Sequence, residues 1–230
     1  MSYSLPKKLA AECFGTFCLV FAGTGAIIVN DISGGAVTHV GVALTFGLIV
    51  FAMIAAIGDI SGAHLNPAVT FGFFLAKRFP GEAVAPYVIS QFCGALLASI
   101  TLLALFPTHG TLGSTIPAGA PFQSLMLEIL LTAILMTVIL SVTTMPKGKE
   151  ATAGIAIGVV IALSALFAGP ISGASMNPAR SLAPALLSWH LDSLWVYLTG
   201  PLLGAALGVP LCRYSREPGC CPSPFIREKC

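Results

Sequence analysis

Six stretches of this chain are apolar over close to the ~20 residues that a helix needs to cross the hydrocarbon core of a bilayer. Nothing else in the sequence limits the fold so strongly. The predicted spans are Leu9–Val29, Thr38–Ile57, Ala83–Phe106, Phe122–Val142, Thr152–Phe167 and Leu191–Arg213. Charged residues make up only 9% of the 230, against 56% hydrophobic, which is too little charge to keep the surface of a soluble domain wet. A soluble globular protein is excluded.

The few charges are ordered along the chain. Lys7, Lys8, Lys77, Arg78, Lys147, Lys149, Arg213, Arg216, Arg227 and Lys229 all fall at the start, in alternate loops or after the last span. Placed together on the cytoplasmic side, they satisfy the positive-inside rule and put both termini inside. The loops near 30–39, 107–121 and 188–192 carry no Lys or Arg and are expected outside, with His39, His109 and His190 read as solvated loop residues. The first apolar run is too long for the core of a signal peptide and lacks a cleavage site, so it is expected to stay as the first span. Of the cysteines, Cys220, Cys221 and Cys230 sit in a tail, 214–230, expected to be reducing and without structural disulfides.

Two further apolar segments, Asn66–Lys77 and Asn177–Leu187, are too short to cross. Each follows a copy of one motif: Ser61-Gly62-Ala63-His64-Leu65-Asn66-Pro67-Ala68 matches Ser172-Gly173-Ala174-Ser175-Met176-Asn177-Pro178-Ala179 at six of eight positions. Glu12 with Thr16, and Glu128 with Thr132, recur early in each half. The halves are therefore read as repeats, about 9–106 and 122–213, of a single membrane domain. Three spans per half is an odd number, so the second repeat is inverted, and the two short segments enter from opposite faces to meet in the middle. Such paired, interrupted segments mark a pore or binding site.

The motif has a local logic. Proline suits the first position of a helix, where its missing N–H costs nothing. Asparagine before it is a strong N-cap through its side-chain oxygen. That leaves the amide NH2 of Asn66 and of Asn177 to donate to a passing oxygen. Both helix starts aim the positive ends of their dipoles at the pore centre, which repels cations and accepts neutral molecules bearing lone pairs.

A duplicated Asn-Pro-Ala, the second followed by Arg180, in a six-span inverted repeat resembles the aquaporins and aquaglyceroporins of the major intrinsic protein superfamily. The stretch from Phe167 to Ser181 is similar to the nodulin-like intrinsic proteins and their bacterial relatives. The resemblance implies an all-α, right-handed bundle of six transmembrane helices plus two re-entrant half-helices. It also implies a homotetramer in the plasma (inner) membrane, with lipid, water and small neutral solutes as its only partners. No cofactor, metal, catalytic residue or nucleic acid is expected.

By the same resemblance, the backbone carbonyls of Gly62, Ala63 and His64 and of Gly173, Ala174 and Ser175 line the path. Glu12 and Glu128 hold these two loops, and a proton relay is the other reading of these carboxylates. Phe46, Ala165, Ala174 and Arg180 form the selectivity filter, with Val69 standing in the first half where Arg180 stands in the second. Alanine at 165 replaces the histidine of strict water channels and widens the hole. The function implied is passive conduction of water, glycerol, urea and metalloid hydroxides such as arsenous, boric or silicic acid, with ions and protons excluded. A strict water channel and a secondary transporter of a small neutral solute are the alternatives.

Overall fold

The computed structural model describes residues 3–144 and 150–215. Lys147, Lys149, Arg216 and the cysteine-bearing end of the tail lie outside the described residues. Eight helices follow one another: α1 (Leu5–Ile32), α2 (Thr38–Ser61), α3 (Pro67–Leu75), α4 (Gly81–Leu105), α5 (Pro121–Val142), α6 (Glu150–Ser172), α7 (Pro178–Ser188) and α8 (Leu194–Ser215). Six are long and apolar enough to cross a membrane, and the short α3 and α7 are the two half-spanning segments. The protein is an integral, multi-pass membrane protein.

Its surface is arranged for lipid. Leu48, Ile89, Phe122, Leu163 and Phe167 are exposed, whereas Glu12, Gln91, Glu128 and Arg180 are buried. Large apolar side chains outward and polar ones inward is the distribution expected where hydrocarbon replaces water.

The helices pair twice over. α1 packs on α4 and α2 in the first half, and α5 packs on α8 and α6 in the second. Each half-helix also packs on the last helix of the opposite half, α3 on α8 and α7 on α4. Glycine permits the closest approaches. A Cβ at Gly94 would fall 2.1 Å from the Cys13 carbonyl oxygen, and one at Gly204 would fall 2.4 Å from that of Ile129, the same contact in each repeat. Between the repeats, Gly47 and Gly158 each face the other's carbonyl, so α2 and α6 touch backbone to backbone. Without a hydrophobic drive between helices in lipid, such close contact is what holds a bundle together.

Several boundaries differ from expectation: α2 continues past Ile57 to Ser61, and α8 begins at Leu194 rather than Leu191. α1 extends past Leu9–Val29 at both ends, and α6 runs through Gly169-Pro170 to Ser172 instead of stopping at Phe167. A single proline removes one N–H, and the helix continues where another donor takes its place. Likewise α8 passes through both Pro201 and Pro210.

Hydrogen bonds gather the ends onto two faces. Tyr3 reaches Asp59, Arg78 reaches the Leu140 carbonyl and Thr143, and Arg213 reaches the Leu75 carbonyl. On the other face His109 pairs with Asp31 at 3.3 Å, and the loop 106–120 bonds Ser114 to Ser188 and Ala118 N–H to the Ile171 carbonyl. Of the three outer histidines, His39 and His190 are exposed as expected, while His109 is largely covered. His109 also accepts from Leu112 N–H, His190 bonds Ser188, and His39 belongs to the first turn of α2.

Candidate functional site

Both half-helices begin as the sequence predicts. Asn66 is the N-cap of α3 and accepts from Ala68 N–H at 2.8 Å; Asn177 caps α7 and accepts from Ala179 and Arg180 N–H. Pro67 and Pro178 open the two helices, with Ala68 and Ala179 fully buried behind the tips. The tips touch. Asn66 Nδ2 donates to the Met176 carbonyl at 2.7 Å, and Asn177 Nδ2 donates to the Leu65 carbonyl at 2.9 Å. This corrects the expectation that the whole amide is left to the permeant: each NH2 has two hydrogens, and one closes the join between the loops.

Behind each loop stands a carboxylate. Glu12 accepts from Ser61 Oγ, His64 N–H, Leu65 N–H and Gln91 Nε2, all between 2.7 and 2.8 Å. Glu128 accepts from Ser172 Oγ, Ser175 N–H and Met176 N–H, between 2.7 and 3.0 Å. The serines also accept from Ala63 and Ala174 N–H. The recurring threonines, Thr16 and Thr132, are buried but make no hydrogen bond.

This pattern fixes the carbonyls. In a trans peptide the C=O of one residue points opposite to the N–H of the next, and the described chain contains no cis peptide. With the N–H groups of residues 63, 64 and 65 turned toward Ser61 and Glu12, the carbonyls of Gly62, Ala63 and His64 point away from the carboxylate. The same holds for Gly173, Ala174 and Ser175 relative to Glu128. The geometry costs backbone strain: Ala63, Leu65, Ala174 and Met176 all have φ between 42° and 53°, the left-handed region that a side chain disfavours by about 1–2 kcal/mol per residue. Charge-assisted bonds to the buried carboxylates offset it.

A cavity of about 110 Å³ runs past these loops. Gly62, Ala63, His64, Asn66, Ala174, Ser175 and Asn177 line it, together with Phe46, Ala165, Arg180 and Val69. The opposite wall is apolar, from Val50, Ile54, Leu135, Ile139, Ile157 and Ile161. Gly173, Glu12 and Glu128 stand behind this lining rather than in it. All four residues expected at the filter therefore border one space. Arg180 donates through Nη1 to the Gly113 carbonyl at 2.9 Å, and its Cζ stands 5.2 Å from the centre of the Phe46 ring. Among the described residues no group of three His, Cys, Asp or Glu is placed to hold a metal.

Four supports escaped the sequence reading. Tyr87 and Tyr197, both buried, donate to the carbonyls of Ser61 and Ser172, which end α2 and α6. Gln91 bridges Glu12 to Thr70. Gly113, in the loop 106–120, orients Arg180. The tyrosines occur at matching places in the two repeats and could have been found by extending the repeat alignment. Gln91 and Gly113 have no such signal.

The family profile described as Major intrinsic protein matches residues 1–211. The chain belongs to that family. Among curated relatives of this major intrinsic protein, "Aquaporin NIP1-1" of Oryza sativa subsp. japonica is 46% identical over 224 residues, which is 95% of this chain and 79% of the relative. "Putative aquaporin NIP4-1" of Arabidopsis thaliana is 47% identical over 205 residues, 89% of this chain and 72% of the relative. The aquaglyceroporin from Plasmodium falciparum superposes with a TM-score of 0.81, covering 90% of this chain and 95% of its own, at 24% identity; it bears out the fold. A membrane channel for water and small solutes is the function that family membership supports.

Proposed function

We propose that this channel passes neutral solutes larger than water, including glycerol, urea and metalloid hydroxides such as arsenous, boric and silicic acid, while rejecting ions and protons. One observation carries the reading: Ala165 and Ala174 share the cavity with Phe46 and Arg180. Two methyl groups leave a wide, largely apolar opening, with the Arg180 guanidinium as its charged donor. A neutral hydroxylated molecule exchanges water for Arg180, the two remaining asparagine N–H groups and a row of carbonyls. A cation faces the Arg180 charge and then the positive ends of two helix dipoles. Strict water selection is less consistent with alanine at 165. Coupled transport is less consistent with carboxylates whose oxygens are taken up by loop donors.

The channel acts as a homotetramer with one pore per protomer, in the plasma membrane with both termini cytoplasmic. Arg78 and Arg213, gathered on the face that also holds Tyr3, support that orientation. Stopped-flow light scattering on proteoliposomes with water, glycerol and urea, beside arsenous acid uptake, tests the solute range. Flux beyond water is expected; water flux alone would refute the wide filter. Ala165→His should suppress glycerol by about tenfold or more while sparing water, because a ring replaces a methyl in the cavity shared with Phe46 and Arg180.

A further inference from the structure

Pro170 lies four residues beyond Leu166 within α6 and has no N–H, so the Leu166 carbonyl receives no helical hydrogen bond from that position. His39 Nε2 stands 2.8 Å from that oxygen. A carbonyl can only accept, so Nε2 is a protonated nitrogen of the ring. The imidazole also rests on the bare face of Gly169, where a Cβ would fall 2.8 Å from His39 Cε1. A missing N–H and a missing side chain, one residue apart, thus shape the end of α6 to receive this ring.

The bond joins two helices that both carry filter residues. Phe46 is about two turns along α2 from His39, and Ala165 immediately precedes Leu166 in α6. Beside Phe46 the same helices already touch through Gly47 and Gly158. The pair is therefore fastened at two levels: a backbone contact within the bundle and a side-chain clamp at the outer end. Neither fastening is made by a residue that lines the cavity, and the clamp can be removed without forcing a side chain between two touching backbones.

We propose that His39 is a positioning residue for the filter: by holding the outer end of α6 to α2, it sets the gap between Ala165 and Phe46 and so the largest solute that passes Arg180. The proposal deepens the channel reading above and rests on it. Without the donor, the outer end of α6 loses its side-chain tie to α2, and the two helix ends are free to separate.

The test uses the full-length protein in proteoliposomes at matched protein content, comparing water, glycerol and the four-carbon polyol erythritol. His39→Leu fills the space without a donor and should raise erythritol flux relative to glycerol about three- to tenfold, the equilibrium worth of one hydrogen bond. His39→Gln keeps a donor at similar reach and should behave like the wild type. If His39→Leu does not assemble, His39→Asn, polar but too short, carries the same expectation. An unchanged ratio in the donor-less variant overturns the proposal, as does a glutamine variant that matches leucine. Should the wild type pass water alone, the wide-solute reading falls, and the clamp is then decided by whether His39→Leu, but not His39→Gln, admits glycerol.

Discussion

The loops 62–66 and 173–177 are built on one plan and finished differently. In each, a glutamate, a serine and a tyrosine bind the same three elements: the N–H groups of the loop, its second N–H, and the last carbonyl of the preceding helix. The left-handed residues also correspond, Gly62, Ala63 and Leu65 against Gly173, Ala174 and Met176. The differences lie around this frame. His64 bonds Thr70 and stacks among Phe73, Phe79 and Tyr87, whereas Ser175 bonds Ser181, which is bonded in turn by Thr115 of the loop 106–120. Gln91 serves Glu12, but four residues beyond Tyr197 the matching place is Pro201, which can donate nothing. Val69 faces the cavity in one half and Arg180 in the other. The duplicated part turns carbonyls away from the buried carboxylates; the solute range proposed above rests on the unduplicated part.

The sharpest break of that comparison is the charge-neutral swap at each glutamate. In Glu128→Gln the new NH2 can replace Oε2, which serves Met176 N–H alone, so one donor is left facing another. In Glu12→Gln the same placement confronts both Leu65 N–H and Gln91 Nε2. Gln91 could turn its amide, but only by giving up Thr70. At about 1.5–3 kcal/mol for each bond to a charged acceptor, Glu128→Gln should cost roughly 2 kcal/mol and Glu12→Gln about 3–4. Denaturation of the purified variants in detergent measures both. Equal losses, or a larger one at Glu128, would show that Gln91 adds nothing to the first loop.

Arg180→Val makes the two halves alike at the filter. A unit charge a few ångströms from the path is worth on the order of 1–4 kcal/mol at the effective dielectric of a protein surface. Proton or sodium leak into dye-loaded vesicles should therefore rise by about tenfold or more, with glycerol flux maintained or increased. A variant as tight as the wild type would move cation rejection from the guanidinium to the half-helix dipoles, which the two repeats share.

The division between shared and unshared features also explains what could be read from sequence. The spans and half-helices were legible because apolar length and an Asn-Pro start are local signals, and duplication made the second signal independent of chance. Phe46, Ala165, Ala174 and Arg180 were named through the resemblance; all four border one cavity, and their role as a filter is the proposal made above. Gln91 and Gly113 were not, because each matters only through a partner that the fold brings beside it. The partner of His39 was hidden for the same reason. A histidine near a helix start looks solvated until the carbonyl freed by Pro170, far along the chain, arrives beside it. The end of α6, Ser172 rather than Phe167, was hidden in the same way: the proline was visible and its replacement donor was not.

The smallest expected effect is the strictest test of duplication. Tyr87 and Tyr197 are both buried, and each hydroxyl donates to the final carbonyl of a helix, Ser61 at 2.9 Å and Ser172 at 2.7 Å. Terminal carbonyls lack partners within their own helix, so each hydroxyl fills an orphaned position. Phenylalanine keeps the ring, including the packing of residue 87 on Phe79 and His64, and deletes only the bond. Each substitution should cost about 1 kcal/mol. Because the two sites sit in different repeats with no shared partner, the double variant should lose the sum of the two within about 0.5 kcal/mol. Marked inequality between the single variants would mean that the surroundings, aromatic at one loop and hydroxyl-rich at the other, reach into the frame itself. Marked non-additivity would mean that the join between Asn66 and Asn177 transmits strain from one loop to the other, so that the two halves of the pore are set as a unit.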